Sequence, residues 1–472
     1  MFLYVLFIFY NKKTSFYVFF IIKMIYYEWM VIDMKRTIYN DLMNWKKKQH
    51  KKPLIIKGAR QVGKTYIIRE FAKNNYKNLV EINFERDKEF QELFQQTKTS
   101  HDLLQYLELT YINIQFDQNT LLFLDEIQAC SDAFTALKFL SENFPCDIIC
   151  SGSMLGIAVA SSSSFPVGYV ETWEMYPLTF LEFIDAMGIN QSVIDIIYQS
   201  IENHKSIPTG IHEKFNQFFK DYMIIGGMPE VVQTYFQTKS YREALMVQRQ
   251  IVDDYRNDML KYAHGSEKIK ARECYDSIPL QLAKENKKFQ YKLIKKGGNA
   301  RYYESSLDWL KDSGLIIKTY RLKNPDIPLE VNKELHIFKI YMADTGLLIS
   351  QFDEAVIKAL ISGDLGYFKG ALYENIIAQI LHSKKKETYY YEPSQSQEID
   401  FIIYYQGEVT PIEVKSSRNT VSTSFNNFIK KYNPSLALKF SQKNIGENSQ
   451  NVHYYPLYTL EFILNKEKPI LP

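Results

Sequence analysis

The chain has 472 residues, too many for one hydrophobic core, so we expect about two to four domains. Hydrophobic residues make up 46% and charged residues 24%, which excludes an intrinsically disordered protein. The formal net charge of +3 indicates neither a strongly acidic nor a strongly basic partner.

The cysteines give no sign of a zinc site or of a disulfide framework. They form no CxxC pair, and no histidine lies at the spacing that zinc sites use. A chain without disulfides fits a reducing compartment, and we therefore expect the protein in the cytoplasm. The residues concerned are Cys130, Cys146, Cys150 and Cys274.

Residues 1–33 are an apolar N-terminal extension. Its apolar runs, Phe2–Tyr10 and Phe16–Ile22, are separated by a polar segment with two lysines. Each lysine would cost about 2.5–3.5 kcal/mol inside a membrane span, and neither run reaches the roughly 20 residues that cross a bilayer. We expect neither a membrane anchor nor a signal peptide, since no small-residue cleavage site follows. Our interpretation is that the natural chain starts at Met24 or Met34.

The segment 58–65, GARQVGKT, has the spacing of a phosphate-binding loop. It follows the apolar run Leu54–Ile56 and leads into a helical pattern, so the helix N-terminus adds its positive dipole end. We predict that Lys64 reaches the β- and γ-phosphates of ATP and that Thr65 holds Mg²⁺. The predicted nucleotide contacts are Gly58, Ala59, Arg60, Gln61, Val62, Gly63, Lys64 and Thr65.

A second segment, Leu121–Glu126, is a continuous apolar run that ends in two carboxylates, as in a strand buried in a parallel sheet. Beside the phosphate loop, Asp125 can bind Mg²⁺ through water, and Glu126 can polarise the attacking water. The alternative is a strand that ends in acidic turn residues. The position of the pair after the phosphate loop favours the catalytic interpretation.

A further buried strand is predicted from Asp147, and it delivers Ser151 and Ser153 toward the γ-phosphate. Serines after a strand also cap helices, so the sensor role and the capping role both stay open. The alternation of strands and helices predicts a three-layer α/β domain with a mainly parallel sheet over residues 34–190.

The segment 58–65 and several further segments together resemble the sequence pattern of a known family. The further segments are Leu124–Gln128, Ser151–Ser153, Phe165–Gly168 and Pro177–Phe183. From about Met34 to its C-terminus the chain resembles a large family of prokaryotic AAA-type ATPases, whose members carry a C-terminal domain of unknown function related to the PD-(D/E)XK nuclease fold. The resemblance implies an AAA-class fold with ATP hydrolysis, and it favours Glu126 as the catalytic carboxylate.

The sequence departs from the pattern of such ATPases in one respect: no arginine can be identified as an arginine finger. Arg60 lies inside the phosphate loop, and Arg69 lies in the helix behind it. A neighbouring subunit of a homo-oligomer can supply this group. The other interpretation is that hydrolysis is slow and the protein acts as a switch.

Residues 191–330 are predicted to be helical and to include a winged helix-turn-helix from Arg272 onward. Basic side chains crowd its loops, which makes duplex DNA one candidate partner. The alternative is a winged-helix lid that packs on the ATPase domain. The basic residues are Lys284, Lys287, Lys288, Lys292, Lys295, Lys296 and Arg301.

Residues 331–472 contain a second set of chemistry-bearing residues. Glu374 lies in a helical pattern, while Asp400, Glu413 and Lys415 lie on two strands that a turn at Gln406 joins into a hairpin. Converging carboxylates need a cation between them, and Mg²⁺ is the usual one. Lys415 can position a water for attack on phosphorus.

This second set matches the PD-(D/E)XK pattern as Asp400 and Glu413-Val414-Lys415, with Glu374, Asp400 and Glu413 as metal ligands. The alternatives are a solvent-facing charged strand and a nuclease-like fold without activity. The leading hypothesis is an ATPase coupled to a nuclease-like, DNA-acting domain. The rival is a nucleotide-dependent switch whose C-terminal domain only binds a partner; a small-molecule kinase fits less well, because Asp125 and Glu126 are adjacent.

Overall fold

The computed structural model of the chain describes residues 34–97, 99–153, 166–262, 267–284, 287–363, 368–394, 396–415, 422–446 and 451–467. The apolar stretch 1–33 and most of the predicted loop around Phe165 lie outside these ranges. Within these ranges, no helix has both the length and the apolar character needed to cross a membrane.

The N-terminal part alternates strands and helices, as its sequence predicts. Its elements are α1 (Thr37–Lys46), β1 (Leu54–Lys57), α2 (Lys64–Asn75), β2 (Asn78–Asn83), α3 (Lys88–Gln96), α4 (Ser100–Thr110), β3 (Thr120–Asp125), α5 (Ser131–Asn143), β4 (Asp147–Gly152), β5 (Glu171–Glu174) and α6 (Phe180–Ala186).

These strands form a five-stranded sheet in the order β2-β3-β4-β1-β5, and every neighbouring pair is parallel. Every residue of β3 is buried, because both faces of a parallel sheet are covered by helices. All strands therefore end at the same edge, where the loop between β1 and α2 also lies. The predicted α/β fold with a parallel sheet is confirmed.

The middle of the chain is helical. Its elements are α7 (Gln191–Glu202), α8 (Thr209–Ile225), α9 (Pro229–Thr238), α10 (Tyr241–Tyr262), α11 (Glu267–Leu282), α12 (Tyr291–Ile294) and α13 (Ala300–Asp312). A single bridge between Lys288 and Lys339 joins the segment before α12 to a later strand.

The C-terminal part is built on a second sheet. Its elements are β6 (Ile316–Leu322), β7 (Lys333–Met342), α14 (Thr345–Ser350), α15 (Glu354–Ser362), α16 (Phe368–Ser383), β8 (Tyr389–Ser394), β9 (Gln397–Tyr405), β10 (Glu408–Val414), α17 (Thr423–Tyr432), β11 (Ala437–Ser441), β12 (Val452–Pro456) and α18 (Leu460–Asn465).

This second sheet is seven-stranded and mixed, in the order β12-β11-β10-β9-β8-β6-β7. The antiparallel hairpin of β6 and β7 belongs to it, so the boundary expected at residue 330 falls inside a hairpin of the sheet. The turn between β9 and β10 has positive φ at Gln406 and Gly407, which matches the twist of a two-residue hairpin.

Helix α16 lies at the centre of the C-terminal part. Every residue from Ala371 to Leu381 is buried, because this helix is apolar on most sides and is covered by β6, β7, β10, α14 and α18. One hydrophobic cluster runs from Leu42 in α1 to Leu464 in α18, and it includes buried residues of both sheets.

A buried ion pair fastens the start of the described chain to the N-terminal α/β fold. The Arg36 guanidinium donates from Nε to Glu182 at 3.0 Å, and its other nitrogens donate to the carbonyls of Val62 (2.9 Å) and Tyr176 (2.6 Å). Glu182 also accepts from the backbone of Thr37 and completes a capping box at the start of α6. Arg36 thus supports the phosphate loop through the carbonyl of Val62.

We expect Arg36→Met to lower the free energy of unfolding by about 3–5 kcal/mol, because Glu182 would remain buried without its cation. Urea unfolding followed by tryptophan fluorescence measures this change. Lys48→Met is the control, since Lys48 pairs with Glu171 at the surface and its loss should cost less than about 1 kcal/mol. Equal effects of the two substitutions would contradict the role of the buried pair.

Candidate nucleotide site and C-terminal carboxylate cluster

The backbone of the phosphate loop adopts a tightly curled conformation. Gly58, Gln61 and Gly63 have φ of 150°, 64° and 96°, so the loop uses left-handed conformations at three of its positions. A Cβ on Gly58 would lie 2.2 Å from the carbonyl oxygen of Met175, which leaves no room for a side chain there. The first glycine is therefore required by the contact with the segment after β5.

Lys64 lies inside the curled loop. Its Nζ donates to the carbonyls of Gly58 (2.9 Å) and Ala59 (2.8 Å), and the side chain is buried. Burial lowers the pKa of Lys64 to about 8, although Glu126 and Asp125 oppose this shift. The ammonium group is held at the centre of the loop. Anionic phosphate oxygens bound there would favour its charged form.

Asp125 is the centre of a polar cluster at the edge of the parallel sheet. Its carboxylate accepts from Ser151 and, at 3.0 Å, from Asn83 Nδ2, and it lies 3.3 Å from the hydroxyl of Thr65. Burial raises the pKa of Asp125, and these neutral donors offset the shift only in part. A buried carboxylate beside two hydroxyl oxygens and an amide is a donor set that suits Mg²⁺.

Glu126 stands apart from this cluster, in a left-handed conformation with φ of 51°. Its carboxylate accepts from Gln128 and, at 3.2 Å, from the hydroxyl of Ser153. Ser151 therefore contacts Asp125, whereas Ser153 contacts Glu126. Both carboxylates of the predicted pair are positioned by serines at the end of β4.

A pocket of about 770 Å³ opens over the phosphate loop. It is lined by Lys64, Thr65 and Glu126 and by residues of both the N-terminal α/β part and helix α9. The wall residues include Met34, Leu178, Pro229, Glu230 and Gln233.

Helix α10 of the middle region contacts the phosphate loop directly. Asp258 accepts from Arg60 at 2.7 Å, Asp254 accepts from Gln61 at 2.8 Å, and the Tyr255 hydroxyl donates to the carbonyl of Arg60. Arg60 and Gln61 are thus held by the middle region.

The C-terminal hairpin brings together the residues that the sequence singles out. The last pair of the β9–β10 register is Ile412 with Phe401, and Glu413 and Asp400 are the neighbours of these two residues at the same end of the hairpin. Side chains of directly opposite residues lie on the same face of a sheet. Asp400 accepts from the backbone of Val414 at 2.8 Å, and Lys415 forms an ion pair with Glu413.

Glu374 arrives from α16 as predicted, but it already has cationic partners. Lys287 and the fully buried Lys339 both form ion pairs with it, and the Tyr341 hydroxyl donates to it at 3.1 Å. Burial alone would raise the pKa of Glu374, but Lys287 and Lys339 lower it to about 2. Lys339 also pairs with Glu398.

Glu374, Glu398 and Asp400 form the carboxylate cluster, in which one oxygen of each lies within 4.8 Å of the others. The sequence predicts Glu374, Asp400 and Glu413 as metal ligands. The cluster in the structure contains Glu398 instead of Glu413. Burial and the nearby Glu413 and Glu374 raise the pKa of Asp400 well above its usual value. Glu413 Oε2 is buried, with no hydrogen-bond partner among the described residues.

Several residues of the two sites were not predicted. Asn83 is the last residue of β2, and its polar side chain next to the apolar residues Ile82 and Phe84 was the available signal. Lys339 stands alone in the apolar stretch from Ile337 to Met342, which was also a signal, since an isolated buried lysine needs a carboxylate. Asp254 and Asp258 gave no local signal, because their partners lie in the phosphate loop.

Family models match three separate parts of the chain. Residues 50–184 match the model described as "AAA domain", residues 216–355 match "Domain of unknown function (DUF8612)", and residues 369–460 match "Domain of unknown function (DUF4143)". The phosphate loop and Asp125 lie in the first match, so this region is an AAA-type P-loop ATPase domain. The third description names no activity, and the nuclease-like assignment stays a prediction.

Solved structures resemble the chain only distantly. The Walker-type ATPase paby2304 of Pyrococcus abyssi is 14% identical and has a TM-score of 0.41, with 68% of this chain and 96% of that chain covered. Cdc6p from Pyrobaculum aerophilum is 14% identical and has a TM-score of 0.24, covering 71% and 96%. The Aeropyrum pernix ORC1 protein in complex with DNA is 9% identical and has a TM-score of 0.28, covering 70% and 91%.

At these scores and identities, the solved structures do not establish a shared activity. No match was found among curated proteins.

We expect Asp400→Asn to raise the free energy of unfolding at pH 7 by about 0.5–2 kcal/mol, measured by urea unfolding in EDTA. The folded-state pKa of Asp400 is raised, so its charged form destabilises the folded protein above the unfolded pKa, and the amide removes this cost. The gain should shrink as the pH falls toward the usual aspartate pKa.

Glu408→Gln is the control for this substitution. Glu408 is exposed at the start of the same hairpin strand, so its change should stay within about 0.5 kcal/mol. A lower stability of Asp400→Asn at pH 7 would contradict the inferred repulsion.

Proposed function

We propose that the chain hydrolyses Mg-ATP in the pocket over the phosphate loop. The observation that carries the proposal is the buried Asp125 carboxylate, which lies beside the Thr65 hydroxyl at the mouth of a loop that encloses Lys64. A carboxylate and an ammonium group held side by side suit a metal-bound triphosphate.

Each residue of the pocket has a proposed role. Thr65 and Asp125 would hold Mg²⁺, which neutralises charge on phosphate oxygens when it is bound. Lys64 leaves the carbonyls of Gly58 and Ala59 and donates to the β- and γ-phosphates. Glu126, fixed by Gln128 and Ser153, orients the attacking water and accepts its proton.

Lys64→Ala is expected to lower the turnover of ATP by about 10²–10³-fold, because a donor to the developing negative charge is lost. A phosphate-release assay with the full chain measures it. Lys73→Ala is the matched control, since Lys73 is exposed in the last turn of the same helix α2 and should leave turnover unchanged. Unchanged turnover in Lys64→Ala would remove the proposal.

A second proposed function is metal-dependent cleavage of a phosphodiester at the C-terminal hairpin. It is supported by Asp400 and Glu413, which adjoin the last pair of the hairpin, by the ion pair of Lys415 with Glu413, and by Glu413 Oε2, which is buried without a hydrogen-bond partner among the described residues. An orphaned buried carboxylate oxygen beside a second carboxylate fits a divalent cation. DNA is the proposed substrate, by way of the predicted PD-(D/E)XK relationship.

The rival function is a nucleotide-dependent switch without cleavage. It is supported by Lys339 and Lys287, whose ammonium groups already neutralise Glu374. The packing of α10 and Gly314 against the phosphate loop also supports the lid interpretation of the middle region, because a Cβ on Gly314 would lie 3.3 Å from the Ala59 nitrogen. The two functions differ in whether the protein cleaves DNA when a divalent metal ion is present.

Full-length protein with Mn²⁺ or Mg²⁺ is expected to cleave single-stranded or duplex DNA, and Glu413→Gln is expected to lower the rate by about 10²-fold or more. Gel analysis of labelled DNA measures this. Glu408→Gln, on the same strand but exposed, is the control and should retain the rate. If the wild-type protein cleaves neither form with either cation, the switch function stands instead.

A further inference from the structure

We propose that a set of buried hydrogen bonds, the polar relay, connects the wall of the nucleotide pocket to strand β7 and helix α16, which carry residues of the C-terminal carboxylate cluster, so that nucleotide affinity depends on the contacts within that cluster. The polar relay consists of Asn375, Gln379, Tyr222, Asp344 and Thr345 together with the backbone groups that they bind. This inference rests on the proposed nucleotide site. It concerns regulation of that site and does not require cleavage at the hairpin.

The first step is strand β7, which carries the cationic side of the cluster. Lys339 pairs with Glu374 and Glu398, and Tyr341 donates to Glu374. Both residues of β7 are fully buried. Any change in the contacts between Glu374 and these two side chains therefore acts directly on this strand.

The second step is the amide side chain next to Glu374 in α16. Asn375 accepts from the backbone nitrogen of Met342 at 2.8 Å and donates to the Met342 carbonyl at 3.1 Å. It also donates to the Thr345 hydroxyl at 2.9 Å. One turn later, Gln379 accepts from both the nitrogen and the hydroxyl of Thr345. Helix α16 thereby fixes the turn that follows β7.

The third step connects the C-terminal part to the wall of the nucleotide pocket. Gln379 Nε2 donates to the hydroxyl of Tyr222 at 3.0 Å, and that hydroxyl donates to the carbonyl of Leu178 at 2.7 Å. Leu178 is a wall residue of the nucleotide pocket, and its nitrogen donates to the carbonyl of Gly227 at 2.6 Å. The amide of Gln379 is thus two hydrogen bonds from the pocket wall.

The fourth step is a parallel connection through Asp344, directly after β7. Its carboxylate accepts from the nitrogen of Gly227 at 2.6 Å and caps α14 through the nitrogen of Leu347. A Cβ on Gly226 would lie 2.2 Å from Asp344 Oδ1, so the glycine lets the carboxylate approach. Pro229 and Glu230, which line the pocket, follow this glycine pair after one intervening residue, Met228.

All members of the polar relay are buried, which makes its geometry costly to distort. Breaking a buried hydrogen bond without replacement costs about 1–3 kcal/mol, so a displacement of β7 is better accommodated by a matching shift of the glycine pair. Asn375, Gln379 and Asp344 are positioning residues, since none of them lines the pocket. A double-mutant cycle measures the energetic coupling between the two sites.

The test is the affinity of the full chain for ADP, measured by titration calorimetry in EDTA so that no divalent metal binds at either site. Lys339→Met alters the cluster, and Gln379→Leu breaks the polar relay while keeping a similar volume. Lys339→Met is expected to change the Kd for ADP at least fivefold, and by no more than about half that factor in the Gln379→Leu background, in which only the connection through Asp344 remains.

Thr388→Val replaces Gln379→Leu in the control cycle, since Thr388 is buried in the C-terminal part and its hydroxyl shares a hydrogen bond with the hydroxyl of Thr319. In that background the fivefold change should persist. If Lys339→Met does not fold, as judged by thermal unfolding, Tyr341→Phe takes its place with the same criteria.

The outcomes separate this inference from the function on which it rests. Wild-type protein that fails to bind ADP would remove the proposed nucleotide site. Binding of ADP with the same change in both backgrounds, or with no change in Lys339→Met, would overturn the polar relay and leave the nucleotide site intact.

Discussion

Both sites depend on the cost of burying a carboxylate. A charge removed from water must gain a cation, hydrogen-bond donors or a proton, and the two sites meet this requirement differently. Asp125 is surrounded by neutral donors and keeps a raised pKa, whereas Glu374 has two lysines and a lowered pKa. The charge of Asp125 is thus stabilised by hydrogen bonds, whereas the charge of Glu374 is already balanced by ammonium groups.

The middle region and strand β7 join these sites into one system. Helix α10 holds the phosphate loop through Asp254 and Asp258, and the turn after β7 holds the Gly226–Gly227 pair that precedes the pocket wall. The phosphate loop is thus not a free module attached to further domains. Its shape is set by contacts from residues about two hundred positions later in the chain.

The sequence predicted what is encoded locally. The loop from Gly58, the Asp125-Glu126 strand end and the hairpin around Gln406 were each found from a short pattern, because spacing and alternation determine which groups share a face. The partners of Asp125 and Glu374 were predicted less well. Pairs such as Arg36 with Glu182 are far apart in sequence and leave no periodic trace.

Helix α16 has a consequence for how the chain can be divided. It is buried on nearly all sides, it carries Glu374 toward one site and Gln379 toward the other, and the hydrophobic cluster around it is shared with the ATPase part. A fragment cut anywhere between the two sheets would leave an apolar surface in water on each piece. We therefore expect that neither the ATPase part nor the C-terminal part would stay soluble as a separate fragment.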